Sequence, residues 1–182
     1  RFAPGNSWEE NPTITNYNNY DGLATEFNTG ASLKDREGNL YYGSLDGFYW
    51  FKPDNIIENN ILPKTEITSF NVFNEPYSLK EDQFLKHHQN TISFTFSSMQ
   101  FSLPQKNLFK YRLLGHETEW VQAGNINFVR YSQLPPGEYN FQVKSSNYDE
   151  IWNENPEQFA FSISPPWYLT AWSKIMYMIL FL

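Results

Sequence analysis

The stretch Leu134-Pro-Pro-Gly-Glu-Tyr-Asn-Phe-Gln-Val-Lys144 decides the fold. Pro135, Pro136 and Gly137 predict a sharp corner, because proline fixes φ and glycine tolerates conformations closed to other residues. Directly after it, Tyr139, Phe141 and Val143 alternate with Asn140, Gln142 and Lys144. A period of two sends the rings to one face and the polar groups to the other. Such a strand is packed on one side and wet on the other, as in antiparallel sheets.

The same alternation recurs on both sides of this stretch. Upstream, Thr68, Phe70 and Val72 alternate with Ser69 and Asn71, and Ile92, Phe94 and Phe96 with Ser93 and Thr95. Phe109, Tyr111 and Leu113 alternate with Lys110 and Arg112, and Val129 and Tyr131 flank Arg130. Downstream, Phe159, Phe161 and Ile163 alternate with Ala160 and Ser162. Strands at these intervals predict an all-β, immunoglobulin-like antiparallel sandwich over residues 65–164. Tyr139 then falls where such sandwiches keep a tyrosine corner, its hydroxyl bonded to upstream backbone. No helical period of comparable length precedes residue 167.

Residues 30–53 read differently, as three short strands, Ala31–Lys34, Leu40–Gly43 and Phe48–Phe51. They are joined by turns at Asp35-Arg-Glu-Gly-Asn39 and Leu45-Asp46-Gly47. Asp-Gly between apolar runs is a hairpin signal. Three strands with an aromatic edge make a poor independent fold. Residues 1–53, with a further strand expected at Ile14–Tyr17, are therefore expected to end a β-propeller as its last blade. An isolated meander is the alternative. Residues 54–64, with Asn55, Asn59, Asn60 and Pro63, read as a linker.

Trp167-Tyr-Leu-Thr170 leads into an apolar run from Ala171 to Leu182, in which Ser173 and Lys174 are the strongly polar residues. Twelve helical residues reach about 18 Å, and a bilayer core is about 30 Å thick, so the run is too short to cross. Residues 165–182 are read as the truncated start of a transmembrane helix, with rings at the headgroup level and Lys174 near enough to snorkel. A buried helix or an edge strand is the bland alternative.

The formal net charge of −7 argues against nucleic acid, whose phosphates need a basic face. The lack of cysteine excludes disulfides, thiolate metal sites and a cysteine nucleophile.

Tyr111-Arg-Leu-Leu-Gly-His-Glu-Thr-Glu-Trp120, Arg130-Tyr-Ser-Gln-Leu-Pro-Pro-Gly-Glu-Tyr139, Val143-Lys-Ser-Ser-Asn147 and Trp152 resemble the triple-tyrosine (Y_Y_Y) domain. Tyr111, Tyr131 and Tyr139 would be its three tyrosines, with Gly115, Trp120, Pro136, Gly137 and Trp152 completing the structural signature. Pro165-Pro166-Trp167 through Trp172 is similar to the passage by which that domain approaches its membrane helix. Gly30 through Pro53 looks like the last blade of a two-component regulator propeller. Asp149-Glu150-Ile151-Trp152 departs from the family pattern, which usually has Gly before the Trp, so that loop is expected to differ in shape.

The resemblance implies the sensor region of a hybrid two-component histidine kinase that regulates use of a polysaccharide. It would lie on the periplasmic side of the bacterial inner membrane and be anchored by its C-terminus. An oligosaccharide would bind in the propeller, and the sandwich would pair with its twin as a homodimer and relay movement to the helix. The kinase would lie elsewhere, so this stretch would carry no catalytic residues, cofactor or metal. An accessory or carbohydrate-binding sandwich of a secreted polysaccharide-degrading enzyme is the alternative. A surface adhesion module is a third, disfavoured by the Pro-Pro-Trp passage.

Other chemistry-bearing residues carry weaker signals. His87 and His88 are adjacent, and in an extended segment would point to opposite sides. His116, beside Glu117 and Glu119, has no evident nucleophile to activate. Asp35, Glu37, Asp46 and Asp54 lie in turns, where such residues favour local backbone bonding over a glycosidase pair. Trp8, Trp50 and Trp152 could stack on sugars, though packing is their commoner role.

Overall fold

A computed structural model describes residues 2, 3, 13, 14, 17, 19–23, 26–56, 59–80, 83–169 and 171–180. The chain divides into two units, residues 1–58 and 59–182, within the stretch expected as linker.

In the first unit, β1 (Phe2–Ala3) pairs antiparallel with β2 (Thr13–Ile14). Residues 15 and 16 of the strand expected at Ile14–Tyr17 lie outside the described residues. The three expected strands form as β3 (Phe27–Lys34), β4 (Leu40–Ser44) and β5 (Gly47–Phe51), an antiparallel meander in the order β3-β4-β5. Its first turn is closed by Asp35. One carboxylate oxygen accepts the N–H groups of Glu37 and Asn39, each at 2.9 Å. The other accepts the Asn39 amide at 2.7 Å and the Tyr41 hydroxyl at 3.1 Å. Gly38, at φ 90°, supplies the left-handed residue that this turn requires. Rings line the sheet: Tyr42 stacks on Phe51 at 6.0 Å, while Phe48 and Trp50 are exposed.

The second unit holds β6 (Thr65–Val72), β7 (Glu75–Tyr77), β8 (Gln83–Leu85), β9 (Ile92–Ser98), β10 (Phe109–Leu114), β11 (Val121–Gly124) and β12 (Phe128–Tyr131). It ends with β13 (Gly137–Ser145), β14 (Glu157–Ile163) and the helix α1 (Ala171–Leu180). One sheet runs β11-β10-β13-β14-β8 and the other β12-β9-β6-β7. They pack face to face through rings. Phe94 stacks on Phe141 with centroids 4.0 Å apart, and Phe70 lies 4.8 Å from Phe159. Burying such a ring contributes about 1.5–3 kcal/mol, so this aromatic layer dominates the core. Leu113, Phe96 and Val143 are fully buried as well.

Three features differ from the sequence reading. Gly137 is not the residue with unusual backbone; it opens β13, and the left-handed residue of the corner is Gln133, at φ 57°. Pro135 and Pro136 direct the chain into β13, while Gln133, just ahead of Leu134, makes the reversal. The sheets are not wholly antiparallel, because β8 pairs parallel to β14. Strands β7, β8 and β11 are additional. Each is too short for a period of two to stand out, and Pro76 argues locally against β7.

At the C-terminus, Trp167–Leu169 form a 3-10 turn before α1, whose ten residues span about 15 Å. Among the described residues no helix is long and apolar enough to cross a membrane.

Candidate functional site

The positions where the main chain enters and leaves the sandwich are both fixed to β13. Just past its C-terminal end, Asn147 is fully buried. Its amide donates to the carbonyls of Asn59 and Ile61, the latter at 3.2 Å. Its own side-chain carbonyl accepts the N–H groups of Asp149 at 3.0 Å and Ile151 at 2.9 Å. The Asp149 carboxylate accepts the Asn59 N–H at 2.7 Å, and the Asn153 amide donates to the Pro63 carbonyl at 2.9 Å. A buried hydroxyl pair, Thr65 with Ser145 at 2.7 Å, ties β6 to the end of β13. Residues 59–65 are thus clamped by side chains that follow them by 80 to 90 positions.

The other end of β13 meets the way out. Gly137 pairs with Ile163, and the next residue, Ser164, donates its N–H to the Leu85 carbonyl at 2.9 Å. Pro165 is exposed and Pro166 buried, and the 3-10 turn closes through a Leu169 N–H to Pro166 carbonyl bond of 3.0 Å. Nine residues of β13, about 27 Å of extended chain, therefore separate the clamp from the outlet. Strands packed by large rings deform little.

The three signature tyrosines brace this rod. The Tyr139 hydroxyl donates to the Pro135 carbonyl at 2.6 Å and its ring stacks on Phe161 at 5.2 Å, which is the expected corner bond. The Tyr131 hydroxyl donates to Glu117 at 3.0 Å, and the same carboxylate oxygen accepts the Leu113 N–H at 2.8 Å. Tyr111 meets Tyr131 edge-on at 6.5 Å. Burial pushes all three phenols above their ordinary range, most strongly in Tyr131, where Glu117 adds to it. Gly115, at φ 95°, sits so close to β13 that a Cβ there would lie 2.4 Å from the Glu138 carbonyl oxygen.

Trp120 and Trp152 lie on the outer face of the five-stranded sheet, each against a cation. The Arg112 guanidinium lies 4.5 Å from the Trp120 centroid and the Lys110 ammonium 4.2 Å from that of Trp152. In the loop where the family usually has Gly, Glu150 takes the left-handed conformation, at φ 61°. Asn147 and Glu117 had no distinct local signal, because their partners are distant main chain or are set by the packing of Tyr131.

The weaker candidates are not assembled into a site. His87 and His88 lie in a turn, with rings edge-on at 5.3 Å and not pointing apart as in an extended strand. His116 is exposed, with its ring against Tyr131 at 5.9 Å. Asn39 foremost holds the Asp35 carboxyl below its usual range, and Asp35 is spent on its turn. Glu37, Asp46 and Asp54 are exposed. Trp50 stacks on Tyr41 at 6.4 Å, and Trp8 lies outside the described residues. Trp167 and Trp172 are exposed ahead of and on α1.

The fold is similar to that of extracellular domains of two-component systems. The Y_Y_Y domain model matches residues 100–164, so the sandwich carries the domain that its tyrosines suggested. The chain is 30% identical over 178 residues to Histidine kinase P4 of Formosa agariphila, covering 90% of this chain and 13% of that protein. It is similar to the extracellular domain of the hybrid two-component system BT3049 from B. thetaiotaomicron, with TM-score 0.71 and 28% identity, covering 82% of this chain and 22% of that one. The corresponding domain of the hybrid two-component system BT4673 from the same organism gives TM-score 0.53 and 29% identity, covering 75% of this chain and 20% of that one. The chain thus spans a small part of the length of each relative.

Proposed function

We propose that this chain is the membrane-proximal part of the periplasmic sensor region of a two-component histidine kinase. In this reading residues 1–53 are the last blade of a propeller, the immunoglobulin-like sandwich is a relay that dimerises, and residues 165–182 begin the transmembrane helix. An oligosaccharide bound in the propeller shifts the population between two arrangements, and the sandwich carries the shift to the membrane. The observation that supports it most is that one strand, β13, with the residues just past it, holds both the incoming and outgoing main chain. The exposed rings of the first unit's sheet suit a blade that packs on others, and Pro165-Pro166 stiffens the joint ahead of α1.

A ligand moves such an equilibrium only by its differential affinity for the two states, and a change from 1:99 to 99:1 needs about 5.5 kcal/mol. The test uses the intact receptor and a panel of neutral and acidic oligosaccharides. An active sugar is found by autophosphorylation, and Pro165 and Pro166 are then replaced by glycine. The reading expects the sugar to bind as before while the phosphorylation response is lost. An undiminished response with both glycines present would refute the relay.

A further inference from the structure

The loop between β13 and β14 does two things at once. With one set of side chains it grips the incoming chain: Asn147 and Asp149 hold Asn59, Asn147 also holds Ile61, and Asn153 holds Pro63. With another set it reaches back over the five-stranded sheet. The loop turns tightly, the Glu150 N–H donating to the Asn147 carbonyl and the Asn147 N–H to the Ile151 carbonyl, each at 3.1 Å. Trp152 then bridges back to Ser146, and the Asn153 N–H donates to the Ser145 carbonyl at 3.1 Å. This return brings the Trp152 ring centroid to 4.2 Å from the Lys110 ammonium, and the Glu154 carboxylate to 2.6 Å from that of Lys144.

Lys110 and Lys144 are register partners on β10 and β13. Like charges directly opposite on neighbouring strands repel. The loop gives each lysine a counter-group, the negative face of a ring for Lys110 and a carboxylate for Lys144. Lys144 is only 9% exposed, so its charge relies on this partner and on the Trp120 ring, 4.9 Å away. The Glu154 side chain is 76% exposed, which leaves the pair open to screening by salt.

We propose that residues 147–155 are a strap fastened by charge. Lys110, Lys144, Trp152 and Glu154 are positioning residues, which hold the loop down so that Asn147, Asp149 and Asn153 meet the incoming chain. Because the fastening and the grip share one short loop, releasing the first loosens the second. The strap opens locally while the ring-packed strands beside it stay closed, as loops generally open at lower cost than core strands. This fastening acts on the clamp alone and is independent of the relay reading.

Amide hydrogen exchange, followed by NMR on the full chain in mild detergent, reads the grip at Asn59, Asp149 and Ile151, whose N–H groups are bonded within the clamp. Lys110→Met and Glu154→Gln each remove one charge and keep the bulk of the side chain. Each should speed those amides about threefold, and the double variant about tenfold. The amides of Phe141 and Phe159, paired in the core ladder, are the reference and should exchange as before. Raising sodium chloride from about 20 to about 500 mM should speed the clamp amides of the parent protein and have little effect on the double variant. Clamp amides that keep the parent rate in the double variant, an acceleration shared equally by Phe141 and Phe159, or an equal salt response in parent and double variant would overturn the strap.

Discussion

At the residue scale, stability is concentrated where a single side chain or its absence decides the path of the main chain. Gly115 is the clearest case. A Cβ there meets the Glu138 carbonyl oxygen at 2.4 Å, and the backbone is left-handed as well. Gly115→Ala is expected to cost at least about 2 kcal/mol, measured by urea denaturation, because main chain on both sides must shift. Glu150 shows the converse. A glutamate held at φ 61° carries about 1 kcal/mol of strain, so Glu150→Gly is expected to leave stability unchanged or raise it slightly. Asn147→Ala removes bonds to four main-chain groups at once and should cost about 3 kcal/mol or more. Proteolysis near residues 59–62 should accelerate with it if those bonds are the clamp.

At the scale of elements, titration gives the sharpest expectations. Tyr111, Tyr131 and Tyr139 keep neutral phenols through burial, while the unfolded chain ionises near pH 10. Each therefore contributes stability that is fully present below about pH 10 and is lost as pH rises above it. Denaturant midpoints are expected to fall steeply in that alkaline range, and Tyr131→Phe should flatten the fall. In the meander of the first unit the sign is opposite. Hydrogen bonds, that of Asn39 first, lower the Asp35 carboxyl, so its contribution is present above about pH 4 and fades as pH drops below. Amide exchange of Glu37 and Asn39 should quicken selectively on acidification, and Asp35→Asn should abolish that response.

For the whole molecule, the relay reading predicts association through the sandwich. The interface is expected to be polar and smaller than that of an obligate dimer, and hence dependent on concentration. Sedimentation velocity across a concentration series, on protein with its complete membrane segment in detergent, checks this. A strict monomer at every concentration would count against dimerisation.

Much of this was legible because the signal was local. Alternation at Phe94, Phe141 and Phe159 marked the inward faces, and Asp35 with Gly38 marked a turn, since a period of two and a left-handed residue are properties of a few adjacent residues. The tyrosine corner was equally readable, as its bond spans four positions. Tertiary structure alone decided the rest. That Gln133 and not Gly137 reverses the chain, that β8 runs parallel to β14, and that Asn147 grips residues 59–61 all depend on strands brought together from far apart. So does the bond from the Arg112 Nε–H to the Gln142 side-chain oxygen, which joins neighbouring strands 30 positions apart. Sequence sets which face of a strand is apolar, but buried polar groups take whichever partner the packed sheets bring within reach.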